Sequence, residues 1–90
     1  MGRTTYEKIS EKIGEMVNNV KEYLGIIDVD LDEESLADNF TPSELEQKLK
    51  QLETLIEEDE HYRSLFITEL RKMRKILAAA IKIAIEDNLP

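Results

Sequence analysis

Residues 41–70 read TPSELEQKLKQLETLIEEDEHYRSLFITEL, and where this stretch breaks decides the fold. Thr41 offers an oxygen to the unbonded amides of a helix start. Pro42 suits the first helical position, and Glu44 stands where its carboxylate reaches back to the cap. Leu45, Leu49, Leu52, Leu55 and Ile56 recur at steps of three and four (with one single step), which places them on one helical face. The run Glu57-Glu58-Asp59-Glu60 puts negative charge at the negative end of this helix, where it is unfavourable. The same charge suits the positive end of a following helix. A tight turn near Asp59 to His61 is therefore expected. No glycine or proline marks it, so one continuous long helix is the alternative.

Past this point Tyr62, Phe66, Leu70, Met73, Leu77 and Ile81 continue one stripe, predicting a helix from about Tyr62 to Glu86. Beyond Ile76 the apolar surface broadens, because Ala78, Ala79, Ala80, Ile83, Ala84 and Ile85 join it. Such a helix is roughly 37 Å long. A compact chain of this size has a radius of gyration of only about 12 Å. The C-terminal half is thus expected to overhang its partners and to drive self-association.

Upstream, Thr4 and Glu7 have capping-box spacing, and Tyr6, Ile9, Ile13, Met16, Val17, Val20, Tyr23 and Leu24 share one face. This predicts a helix over about 5–24, stopped by Gly25, which takes the left-handed conformation cheaply. Gly14 costs about 1 kcal/mol in mid-helix. It either admits a second helix closely or is a tolerated weak spot. Residues 25–41 read as an irregular acidic linker. Ile27, Val29 and Leu31 alternate there with Asp28, Asp30 and Asp32, as in an extended segment lying over a core. A short helical turn is expected from Glu33 to Asp38, with Leu36 and Phe40 facing inward. The fold class is all-α: a small three- to four-helix bundle, a single domain over 1–90. Its C-terminal part, about 42–87, is expected to be an antiparallel helical hairpin, and the whole to be oligomeric.

The chain has 90 residues, no Cys and a single His. Disulfides are excluded, and a structural zinc site lacks ligands. No apolar run approaches the roughly 18 residues of a membrane span, and the first ten residues hold no apolar signal region. The expectation is a cytoplasmic protein without membrane contact. The net charge of −8 is unevenly spread. Residues 1–61 hold 17 acidic and 6 basic side chains, a net of −11, whereas residues 62–90 hold 3 acidic and 6 basic, a net of +3. The acidic part argues against direct nucleic-acid binding.

Catalytic constellations are missing. The spacing Asp28, Asp30, Asp32 opens like a calcium loop, but the glycine and glutamate that such a loop needs fall on Glu33 and Asn39. No Ser or Thr stands in a nucleophile elbow, and no glycine-rich phosphate loop occurs. The sequence therefore reads as a non-enzyme without metal or cofactor, and His61 as a polar turn residue. Arg63, Arg71, Lys72, Arg74, Lys75 and Lys82 make the last helix basic, with Arg71, Lys75 and Lys82 on one face. These cations either grip phosphate oxygens or pair with Glu46, Glu53 and Glu57 of the neighbouring helix. Tyr6, Tyr23 and Tyr62 either stack on a flat base or lie in the core with their hydroxyls at its rim.

The stretch Tyr62-Arg63-Ser64-Leu65-Phe66-Ile67-Thr68-Glu69-Leu70, followed by Ala78-Ala79-Ala80-Ile81, resembles the C-terminal helix of a bacteriophage helical-hairpin family. That family counters the CBASS and Thoeris defences by sequestering nucleotide second messengers. Its pattern is an Arg-x-Leu start, a Thr and a Leu one turn on, and a small-small-Ile run. Arg63, Leu65, Thr68, Leu70 and Ala79-Ala80-Ile81 occupy those positions. The resemblance implies a symmetric homo-oligomer that traps a cyclic nucleotide between subunits without cleaving it, in an infected bacterial host. It carries Arg63 and Thr68 over as contacts. Charge, stacking ability and helical spacing add Tyr62 and Arg71 as candidate ligand-binding residues. The competing expectation is a small protein–protein inhibitor or nucleic-acid mimic whose acidic surface docks on a basic partner. A third is an assembly component such as a phage scaffolding bundle.

Overall fold

A computed structural model describes residues 4–89. Among these residues there are four helices and no strand: α1 (Thr5–Leu24), α2 (Glu33–Asn39), α3 (Pro42–Glu58) and α4 (Glu60–Asp87).

Each helix start is fixed by a side-chain oxygen. Thr4 Oγ1 accepts from the Glu7 amide at 3.2 Å, and Asp32 Oδ2 accepts from the Ser35 amide at 3.2 Å. At α3 both halves of a capping box are present: the Glu44 amide donates to Thr41 Oγ1 at 3.2 Å, and the Thr41 amide donates to Glu44 Oε1 at 2.9 Å. The backbone bond from Thr41, reinforced by its hydroxyl, holds the Glu44 carboxyl below its ordinary pKa. A carboxyl whose folded pKa is depressed adds stability above its unfolded pKa. That stability is lost as pH falls through the folded value. Glu44→Gln should therefore flatten the acid limb of the stability profile between about pH 5 and about pH 3. Urea unfolding across that range checks it; parallel curves for the two proteins would contradict it.

The break between α3 and α4 is a single residue. The Asp59 amide still donates to Leu55 O at 2.9 Å, closing α3, while its Oδ1 accepts from the Tyr62 amide at 2.9 Å, opening α4. The chain thus has two helices here, and α4 begins at Glu60, about two residues earlier than the apolar stripe indicated. A second interruption follows at Phe66, whose φ of −129° and ψ of 21° leave the helical region inside α4. No proline or glycine stands there, so no residue signals the interruption.

Gly25 ends α1 with φ 75°. Its amide reaches Glu22 O at 3.1 Å, and the Ile26 amide reaches Lys21 O at 2.8 Å. In this motif the residue after the glycine folds back on the helix. Ile26 is accordingly fully buried, while Ile27 is exposed. The linker anchor is therefore Ile26 rather than Ile27, with Val29 and Leu31 packed at the core edge. The linker is turned rather than extended, since the Val29 amide bonds to Ile26 O and the Asp32 amide to Asp30 O. Its later part is helix α2, one residue longer than the predicted turn, with Leu36 buried.

The core joins Val20 and Leu24 of α1, Leu36 of α2, Leu52 of α3, and Leu70 and Leu77 of α4. The α3–α4 interface is the most extensive, followed by α2–α4. Much of the expected apolar overhang of α4 is covered, although Ala78 and Ile85 stay exposed. Met73, Leu77, Ala80 and Ala84 are all buried, because α2 supplies a partner surface for α4 beside α3. The projecting element is the first half of α1. Tyr6 is 78% exposed and Ile9 53%, whereas burial in α1 begins at Met16. Tyr6 and Tyr23 are consequently not core tyrosines. The molecule measures 59 × 28 × 18 Å with a radius of gyration of 14.6 Å, above the value of a compact chain.

Lys48 ties α1 to α3. Its Nζ donates to Leu24 O at 2.9 Å, at the negative end of α1, and lies 4.6 Å from the centroid of the Phe40 ring. One ammonium thus caps a helix and rests on an aromatic face.

Candidate functional site

The four residues singled out on α4 divide into two pairs. Thr68 and Arg71 line one shallow groove of about 250 Å³ with Lys72 and Lys75. These positions follow helical steps of three and four, so the regular part of α4 after Phe66 presents them together. All four are exposed. The alternative role for the cations was pairing with Glu46, Glu53 and Glu57. Among the described residues Arg71, Lys72 and Lys75 form no ion pair, so their charges are available to an anion. Lys72 was not grouped with the Arg71 face in the sequence, although it lies one turn after Thr68.

Tyr62 and Arg63 lie before the Phe66 interruption, and their surroundings differ. Arg63 Nη1 donates to Ile56 O and to Glu57 O, each at 2.9 Å. These carbonyls belong to the last turn of α3, which has no basic residue of its own. The guanidinium therefore acts as a cap for α3 from the neighbouring helix. Tyr62 is half-buried, with its ring edge-on to Phe66 at 5.6 Å between centroids. It joins His61, Leu65 and Phe66 of α4 and Lys12 and Met16 of α1 along a groove of about 220 Å³. Leu65, at 60% exposure, is the most open large apolar side chain of α4.

The basic groove supplies three cations and one hydroxyl, which is a donor set for phosphate oxygens. It holds no aromatic ring and is open to solvent. The acidic side of the molecule offers a different surface: Ser43, Glu46, Gln47, Lys50 and Glu53 line an open concavity on α3. Among the described residues no three His, Asp or Glu side chains are grouped as metal ligands, and no helix is long and apolar enough to cross a membrane. No family model matches the chain, and comparison with curated proteins and with solved structures finds no match either.

Proposed function

We propose that the protein is a non-catalytic binding protein that sequesters a cyclic nucleotide immune signal, in the manner of the phage family that α4 resembles. The observation that supports this most is the groove of Thr68, Arg71, Lys72 and Lys75, three cations without ion pairs among the described residues in a chain of net charge −8. Phosphates of a cyclic nucleotide would lie against Arg71 and the two lysines, with Thr68 donating its hydroxyl. Arg71 is suited to bidentate contact, the lysines to point-charge contact. Tyr62 and Arg63 enter the same reading from the first turn of α4, Tyr62 as a flat face for a base. In this reading α3 and α4 form an antiparallel hairpin, which their one-residue connection and extensive interface favour.

An open groove leaves phosphates largely hydrated, so tight capture requires further cover. A homo-oligomer supplies it, because a second subunit seated beside the groove excludes water and adds contacts. Titration of the protein with cyclic di- and trinucleotides at low and high salt tests this reading. Binding that weakens with salt is expected, since the contacts are ionic. A flat titration for every cyclic nucleotide at low salt would overturn it.

A second reading rests on acidic residues of α3 and the linker: Asp28, Asp30, Asp32, Glu46 and Glu53 are each exposed, and such charge suits a basic protein partner. A flat nucleotide titration combined with salt-sensitive competition against nucleic acid for such a partner would favour it.

A further inference from the structure

We infer that the projecting first half of α1, together with Leu65 of α4, is the surface on which a second copy of this chain docks. The inference gives the oligomer of the proposed function a location, and it moves that location from the C-terminal half of α4 to α1.

The positions Tyr6, Ile9, Ile13, Met16, Val20 and Tyr23 alternate steps of three and four. That spacing is the seam of a paired helix. Met16 and Val20 are buried within the chain, whereas Tyr6 and Ile9 continue the same seam into solvent. All of residues 5–15 except the half-buried Ile13 are exposed, and only Lys12 and Glu15 among them border a groove shared with α4. A helical segment of this length is marginal in water without a packed face. Gly14 opens the adjacent flank: a Cβ placed on it would meet nothing within 4 Å. No helix of the same chain uses the close approach that this glycine permits.

Charge identifies the occupant. A basic partner would be drawn to the acidic linker and α3. Residues 5–15 instead carry Glu7, Glu11 and Glu15 against Lys8 and Lys12, close to neutral in a strongly acidic chain. A surface that pairs with itself must not repel itself, and this segment meets that condition. A two-fold interface uses the same patch on both subunits, so each copy supplies the matching seam. The segment is only about 16 Å long. A standard interface of about 800 Å² per partner therefore has to extend beyond it. Leu65 and the groove beside Met16 and Phe66 provide the extension.

The chain has no cysteine, so introduced thiols report contacts cleanly. Ile9 lies near the middle of the exposed seam, and two copies bring their residues 9 together in either helix orientation. Ligand-free Ile9→Cys protein is expected to oxidise to a covalent dimer, and Glu53→Cys on α3 to remain uncross-linked. In sedimentation equilibrium the natural chain should be dimeric or larger, and association should tighten with salt as the repulsion between acidic copies is screened. Ile9→Glu should weaken association at least about tenfold while α2–α4 keep their helical signal. A monomeric natural chain would overturn the inference. So would an assembly in which Ile9→Cys fails to cross-link. Neither readout involves a nucleotide, so failure of this interface and failure of the sequestration reading are separately visible.

Discussion

Leu70→Ala is expected to remove most of the stability of this protein. Leu70 is fully buried, where α4 meets the rest of the core. Truncating a buried leucine loses its transfer free energy and leaves a cavity, at a cost of about 2–5 kcal/mol. A domain of this length has only about 3–5 kcal/mol to lose. The variant should therefore unfold at far lower urea concentration than the natural chain, or be partly unfolded without urea. Leu65→Ala on the same helix provides the contrast. Its side chain is mostly in solvent, so its effect on the stability of the single chain should stay within about 0.5 kcal/mol. Circular dichroism during urea unfolding separates the two. Equal effects would contradict the burial pattern of α4.

Arg63→Ala and Arg71→Ala should fail in opposite ways. Removing Arg63 leaves Ile56 O and Glu57 O without their charged donor. Bonds to a charged donor contribute about 1.5–3 kcal/mol when sheltered, and partial exposure here places the loss near the lower end. The expected result is a less stable fold with a frayed end of α3. Any loss of nucleotide binding in that variant would then follow largely from displacement of α4. Arg71 has no partner within the described chain. Its removal should leave the unfolding curve unchanged and weaken nucleotide binding by about ten- to a hundredfold, the equivalent of one charged hydrogen-bonding group. Unfolding and binding measured on both variants check the division. Stability lost in Arg71→Ala, or retained in full in Arg63→Ala, would reverse the two roles.

The starts of α1 and α3 were legible because capping is local: Thr4 and Thr41 each act within three residues of themselves. Asp59 caps α4 in the same way, but the apolar stripe drew the expected start of that helix to Tyr62. Gly25 was legible for the same reason, since only glycine takes its φ without strain. Periodicity showed which face of α1 is apolar. It could not show that burial starts only at Met16, because that depends on where α3 and α4 end in space. The same limit misplaced the overhang: α2 is seven residues long, and its cover of α4 is a tertiary fact. Ile26 was missed because a period of two pointed to Ile27, while the turn after Gly25 set the direction of the chain. The Phe66 interruption has no sequence signature. It falls between Tyr62 and Arg63 on one side and Thr68 and Arg71 on the other. Lys48 reaches Leu24 O across 24 positions of sequence, a contact that no local pattern announces.

Sequestration without cleavage is tested most directly by recovering the ligand. The purified 90-residue chain is incubated with cyclic di- and trinucleotides and with cyclic ADP-ribose isomers. Protein is filtered away, free ligand is measured, and the retained protein is heat-denatured and measured again. One ligand should disappear from the filtrate in proportion to protein and return unchanged after denaturation. A ligand that returns altered, or a full panel that stays free in the filtrate, would contradict sequestration at the α4 groove.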